Sequence, residues 1–296
     1  MSKIIMCCPF YNENLLANLN IEEASKWVDE IHLTECNKSF KYTDHPYCFH
    51  LNHANSKVFY HQLNASKYYL RPRKIIPHII VHPVSRWMKH CYRNTAWYND
   101  GISRNHSLWN CQYSDEDILV LSDVDEIIDS NYADEIVENV RKKGVVTIEL
   151  YFTVFYFNLW CPKFSGPKYY SYRIFIIKGA IMRKRFHNDS DYLRKLGERG
   201  LLTNKVECLH GIKGFHHSWL GDENFVVNKF NSFAHNMGDG FDGISDKNGQ
   251  LSIAKLKEHL HKGKSIFKNA PLILKDDMPF IQGVNKLKIE QPQYFL

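Results

Sequence analysis

The sequence has no long hydrophobic run. Its most apolar stretch, residues 145–160, carries Thr147, Glu149, Thr153 and Asn158, whereas a bilayer span needs about 20 predominantly apolar residues. The opening run, residues 4–10, is interrupted by Pro9 and stopped by Asn12 and Glu13. A secretory signal has a longer apolar region and a small-residue cleavage site. Neither pattern directs the chain through a membrane, so the expectation is a cytoplasmic protein with at most peripheral membrane contact. A disulfide framework is missing as well. The eight cysteines (Cys7, Cys8, Cys36, Cys48, Cys91, Cys111, Cys161 and Cys208) contain no C-x-x-C pair, and they read as reduced, mostly buried thiols. Sequons at Asn37 and Asn64 then carry no meaning. Charge of one sign is scarce: 38 Lys+Arg against 32 Asp+Glu leaves +6. That excess points to an anionic ligand but is too small and too dispersed for nucleic acid. Repeats, low-complexity segments and an obvious linker are all lacking, which favours one domain over residues 1–296.

What is present is core-forming material. Hydrophobic residues make up 44% and aromatics 14% of the chain, which excludes a disordered protein. Residues 3–8 form a short apolar run ending at Pro9, a first buried strand, and Asn12 is placed to cap a following helix. Leu15, Leu16, Leu19, Ala24 and Trp27 recur at helical spacing, and residues 28–35 alternate as a second strand. Residues 36–73 read as irregular. Residues 74–82 read as an edge strand because of Pro77, and residues 87–109 as helix in two pieces broken near Gly101. Residues 117–121 form a buried strand. Residues 132–143 form an amphipathic helix stopped by Gly144. Residues 145–157, 169–177 and 206–215 are β-rich, residues 222–235 and 251–262 helical, and the proline-bearing tail a loop wrapping the core. Strands alternating with helices imply an α/β fold whose central sheet is mostly parallel, with a mixed, aromatic-rich second half. Residues 1–144 then make a ligand-binding half and 145–296 the other.

Several patterns lead nowhere. Residues 238–243 spell G-x-G-x-x-G, but a helix precedes them, and Asp239 and Asp242 would repel phosphate. Gly263-Lys264-Ser265 resembles the end of a phosphate loop, yet Glu258 stands where the loop needs glycine. The pairs His78/His82 and His50/His53 have metal-like spacing that sixteen histidines produce by chance. Arg183, Lys184 and Arg185, with Arg194, Lys195 and Arg199, read as a solvated face rather than a phosphate-facing loop.

Chemistry concentrates at residues 118–126, Ile-Leu-Val-Leu-Ser-Asp-Val-Asp-Glu. A buried strand runs straight into D-x-D, and open α/β sheets bind ligands at the carboxyl ends of their strands. Asp123 and Asp125, two apart in a turn, could converge on a hard cation, Mn²⁺ or Mg²⁺, which takes carboxylate and phosphate oxygens. Such an ion would neutralise a departing diphosphate. The plainer alternative is a pair of carboxylates capping the next helix.

Further segments stand in a set order around that motif: Cys8-Pro9-Phe10-Tyr11-Asn12-Glu13, residues 28–36, Ser103-Arg104-Asn105-His106, and residues 214–221 followed by 229–235. Together they make the chain resemble glycosyltransferase family 17, the β-1,4-mannosyl-glycoprotein 4-β-N-acetylglucosaminyltransferases. The family runs P-F-x-N-E, V-D-x-F-x-x-x-E, R-N, S-D-V-D-E-I-P, G-W-H-x-S, and the resemblance extends over about residues 4–290. Ile128 replaces the family's proline, Phe215 its tryptophan, and residues 36–73 lack its Gly-Lys-Pro pattern.

The resemblance implies a GT-A-like fold and inverting transfer from a UDP-sugar, by default UDP-GlcNAc, to a glycan, lipid-linked oligosaccharide or glycoprotein acceptor. It places Asp123, Asp125 and His216 at the metal. Pro9, Phe10, Asn12, Glu13, Glu35, Arg104, Asn105 and Asp123 would face the donor, and Trp219 the acceptor. The catalytic base is open by position among Asp239, Glu223 and Glu149, with Asp239 favoured. Competing classes are a glycoside hydrolase, which needs no metal and sets its two carboxyl groups apart, a non-catalytic glycan- or nucleotide-sugar-binding protein, and a nucleotidyltransferase.

Overall fold

A computed structural model describes residues 2–65, 95–165, 172–232, 250–267 and 269–296. In chain order its elements are β1 (Ile4–Phe10), α1 (Asn14–Ala24), β2 (Glu30–Cys36), β3 (Val58–Leu63), α2 (Thr95–Trp109), β4 (Ile118–Leu121), β5 (Glu126–Ile128), α3 (Ala133–Lys143), β6 (Val145–Val154), β7 (Leu159–Trp160), β8 (Phe175–Lys178), α4 (Gly179–Phe186), α5 (Ser190–Glu198), β9 (Glu207–Ser218), α6 (Glu223–Ser232), α7 (Ile253–His261), β10 (Ile273–Leu274) and α8 (Gln282–Glu290).

β1 is central to a ten-stranded sheet of order β10-β7-β6-β8-β4-β1-β2-β3, with β9 paired to β5 and β6. β1 runs parallel to β2 and β4, and β2 to β3. Beyond β4 the sheet turns mixed: β8 is antiparallel to β4 and β6, while β9 is parallel to β6. This is the α/β arrangement expected from the alternating pattern, with the aromatic strands in the mixed part. A parallel strand buried on both faces needs apolar residues at successive positions. β1 supplies them: Met6, Cys8 and Phe10 enter one core cluster, Ile5 and Cys7 the other. Among the described residues no cysteine is in a disulfide, and all but Cys48 are buried.

Several elements differ from the sequence reading. β1 continues through Pro9, which pairs with Thr34. The β4 ladder ends at Cys7, so the missing N–H at Pro9 faces no β4 partner. Asn12 does not cap α1: its φ is +60°, and the helix opens at Asn14 without a side-chain cap. β3 lies inside the segment read as irregular. α2 passes Gly101 unbroken. The tail contains β10 and α8, and α8 packs Val284 and Leu287 against Leu16 and Leu19 of α1. The strand expected at residues 74–82, the first part of the helix at 87–109 and the G-x-G-x-x-G segment lie outside the described residues. α3 ends as expected at Gly144, whose φ is +84°. Among the described residues no helix is long and apolar enough to cross a membrane.

Candidate active site

The carboxyl ends of β1 and β4 open on a cavity of about 160 Å³. That is below the ~300–1,000 Å³ of pockets holding whole ligands, so the enclosed part accommodates a fragment. Its lining is of mixed charge: Arg104, Arg173, Arg194, Lys195 and Lys229 stand among the carboxylates of Glu13, Asp100, Asp123, Asp125, Asp191 and Glu198.

The D-x-D turn is fixed from three sides. The Asp123 N–H donates to Glu126 Oε2 at 2.7 Å. Asn20 of α1 donates its Nδ2 to the carbonyls of Val124 and Glu126, both at 3.1 Å. The His217 N–H donates to the Asp125 carbonyl at 2.9 Å. β5 leaves the turn paired to β9, with Glu126 opposite His216, which brings a histidine from ninety residues away alongside the carboxylates.

The two aspartates differ in what they meet. Asp123 lies between two guanidinium groups. Arg104 of α2 bonds its Oδ1, and Arg194 of α5 reaches its Oδ2 at 2.8 Å. Burial alone would raise the Asp123 pKa, but the charges of Arg104 and Arg194 outweigh it and hold the carboxyl far below the usual range. Arg194 also donates to both oxygens of buried Glu126 at 3.2 Å. Asp125 has His216 Nε2 at 3.5 Å and Lys229 Nζ at 4.0 Å from its Oδ2. Against its burial, these two neighbours lower its pKa. Its Oδ1 is buried and accepts no hydrogen bond among the described residues.

A hard cation therefore fits Asp125, whose buried oxygen is open, and His216 beside it, better than Asp123, whose oxygens are taken by arginines. Asp123, Asp125 and His216 do not draw their ligand atoms together as a trio. The described residues do so at Glu35–His45–Cys48 and Glu149–Cys208–His210.

Pro9, Phe10, Glu13, Arg104 and Trp219 also line this cavity. Tyr11 and Phe40 add an aromatic side, with Tyr11 stacked on His45 at 4.3 Å. Trp219 is buried, with Lys229 Nζ 5.7 Å from its ring centroid. Asn12, Glu35 and Asn105 do not line it. Glu35 Oε1 accepts from His45 and the Cys48 N–H, and Oε2 from the Phe49 N–H and Tyr60. Asn105 Oδ1 accepts from the Ser190 N–H at 2.7 Å, and its Nδ2 donates to Asp189, joining α2 to the start of α5. Glu149, a candidate base by position, meets His210 instead. Asp239 lies outside the described residues.

Arg194 and Lys195 correct the reading of the basic run as a solvated face. Arg183 does lie outward on Asp115, but Arg194 and Lys195 are buried in the cavity wall. Asp191 holds Lys195 at 2.6 Å one turn away. The i,i+4 acid–base pairs of α5 were visible in the sequence, but the same pairs occur on exposed helices.

A second cavity, of about 550 Å³, adjoins the first at Glu13, which lines both. Asn12, Tyr156, Gly221, Asp222, Glu223, Phe225 and Tyr294 contribute to it. Glu13 is paired with Lys229. Its burial pushes the carboxyl pKa up to about 7, against the pull of the Lys229 ammonium.

No family model matches the sequence, and no curated protein matches it. Among solved structures the chain is similar to S. aureus TarS 1–349, at 10% identity over 79% of this chain and 67% of that one, with a TM-score of 0.38. S. aureus TarS 1–349 in complex with UDP-GlcNAc gives 11% identity, coverage of 79% and 68%, and a TM-score of 0.39.

Proposed function

We propose that the chain is an inverting, metal-dependent glycosyltransferase of the family-17 kind with a GT-A-like fold, moving a sugar, GlcNAc by default, from a UDP-sugar to a glycan hydroxyl. One observation carries this reading: Asp123 held between Arg104 and Arg194, beside an open oxygen of Asp125, at the carboxyl end of β4. Guanidinium forks match phosphate oxygens, and this edge of an α/β sheet is where ligands bind. The ordered motifs from Pro9 to Trp219 support the same class.

In this reading Asp123 sets the position of the two arginines, which meet the diphosphate. Pro9, Phe10, Tyr11 and Phe40 wall the nucleoside side. Mn²⁺ or Mg²⁺, when bound through Asp125 with His216 beside it, would offset charge on the leaving diphosphate. Glu13, which lines both cavities, takes the proton of the acceptor hydroxyl. The acceptor oxygen bonds to the anomeric carbon from the face opposite the diphosphate, the bond from that carbon to the diphosphate oxygen breaks, and UDP leaves with its electron pair. Attack from the opposite face inverts the anomeric configuration.

The test follows melting temperature and nucleoside diphosphate release over a panel of UDP-sugars with Mn²⁺, Mg²⁺ or chelator. One UDP-sugar should raise the melting temperature only with metal, and Asp125→Asn should abolish the rise. Glu13→Gln should keep the rise and lower turnover by ~10²–10⁴-fold. Absence of nucleotide binding under every metal condition would remove the donor-site assignment.

A further inference from the structure

The two adjoining cavities differ in charge. The first is mixed, with five basic side chains set among six carboxylates. Among the described residues no lysine, arginine or histidine lines the second, while Glu13, Asp222 and Glu223 do. Its volume of about 550 Å³ falls within the ~300–1,000 Å³ of small-molecule sites. Its aromatic faces are Tyr156, Phe225 and Tyr294, and rings of this kind offer flat apolar area to the C–H faces of a sugar while polar tips meet its hydroxyls. The Phe225 ring lies close against the chain because Gly221 has no Cβ, and one built there would meet the ring at 2.6 Å.

We infer that this second cavity is the acceptor subsite and takes a neutral or amino saccharide in preference to an anionic one, presenting its hydroxyl to Glu13. The inference rests on the transferase reading and narrows its acceptor. Like charges juxtaposed across a site disfavour the wrong partner. Glu13 has Lys229 on the first cavity's side, and Asp222 Oδ1 accepts from the Phe225 N–H at the start of α6. Glu223 faces Lys257 at 3.6 Å on the exposed rim, an ion pair that water screens. Two carboxylates, Asp222 and Glu223, set against the one ammonium of Lys257 leave a net negative charge where an acceptor enters. A phosphorylated or uronic-acid acceptor is repelled there, and an ammonium is attracted.

The test measures saccharide binding by ligand-observed NMR, with and without UDP, using three probes: chitobiose (neutral), its fully de-N-acetylated form (cationic) and a hyaluronan disaccharide (anionic). The neutral and cationic probes should bind at least about tenfold more tightly than the anionic one. Glu223→Lys should remove that discrimination, and Tyr294→Ala should weaken all three probes. The thermal shift with UDP-sugar should be unchanged in both variants, since neither residue lines the first cavity. Equal binding of the anionic probe, or saccharide binding untouched by both substitutions, overturns the inference. A UDP-sugar shift with no saccharide binding also overturns it and leaves the donor reading standing. Saccharide binding with the expected charge order but no nucleotide binding keeps the cavity assignment and removes the donor reading.

Discussion

Arg194 holds together more of this site than any motif residue does. Its guanidinium meets Asp123, both oxygens of Glu126, and Glu198 at 3.3 Å. Replacing it with methionine leaves Glu126, 1% exposed, and Asp123 buried without that partner. Breaking a buried pair from one side costs ~3–5 kcal/mol, so Arg194→Met should lower the unfolding free energy by that amount, read as a lower urea midpoint at an unchanged slope. Glu35 gives a prediction of pH dependence. Burial would raise its carboxyl, but bonds from His45, Tyr60, and the Cys48 and Phe49 N–H groups outweigh this and hold it at about 2. A depressed carboxylate adds stability that is present above the unfolded value of about 4.3 and lost as pH falls through the folded one. Glu35→Gln should be less stable than wild type at pH 7 by ~1–3 kcal/mol, and the gap should close between about pH 4.5 and 2 in urea titrations. The D-x-D motif was legible because an apolar strand runs into it. Arg194 and Asn20 were not, because nothing local distinguishes a polar or charged residue turned inward by tertiary packing from one left in water.

At the scale of elements, the site depends on α5 lying close against α2. Gly101 permits this: a Cβ there would stand 2.5 Å from Asp191 Oδ2, and Asp191 is buried and tied to Lys195, so it cannot give way cheaply. Gly101→Ala should push α5 outward and destabilise the protein by ~1–3 kcal/mol, as overpacking does. The same displacement should weaken the proposed UDP-sugar binding through Arg194, whereas Ala at exposed Arg199, just past α5 and outside the cavity lining, should change neither. Melting temperature and donor titration separate the two effects. In the sequence Gly101 read as a helix break, the commoner local meaning of glycine; its role as a close-approach point needs the partner helix to be known. β3 escaped notice for a related reason. Its half-exposed residues, Val58 to Gln62, lack the buried pattern that marked β1 and β4, and it is a strand because β2 offers a parallel edge for pairing.

At the scale of the molecule, the sheet decides what can fold alone. The two halves that meet at residue 144 share one core. β4, which carries the D-x-D, has β1 on one side and β8 on the other, and β8 comes from the second half. Phe175, Ile177, Met182, Phe186 and Leu193 then close the cluster around Ile5, Cys7, Leu119 and Leu121, while Val146, Ile148, Ile174 and Ile176 close the opposite face. A fragment of residues 1–144 would keep the cover of its own helices but lose part of the packing on both faces of β1 and β4, leave β4 as an open edge, and lose β9, which carries His216 and bonds the Asp125 carbonyl. It should therefore show no cooperative thermal transition, bind a hydrophobic dye, and give no shift with any UDP-sugar, whereas the full chain should melt cooperatively. A cooperative transition in the fragment, with dispersed amide resonances, would mean that the parallel strands are a unit to which the mixed half is added. The cavity at the D-x-D turn would then be a property of the assembled pair of units. The paired strands argue for the opposite: both halves of the chain build the one sheet, and the site forms only when Arg104 and Asp123 from the first half meet Arg194, His216 and Lys229 from the second.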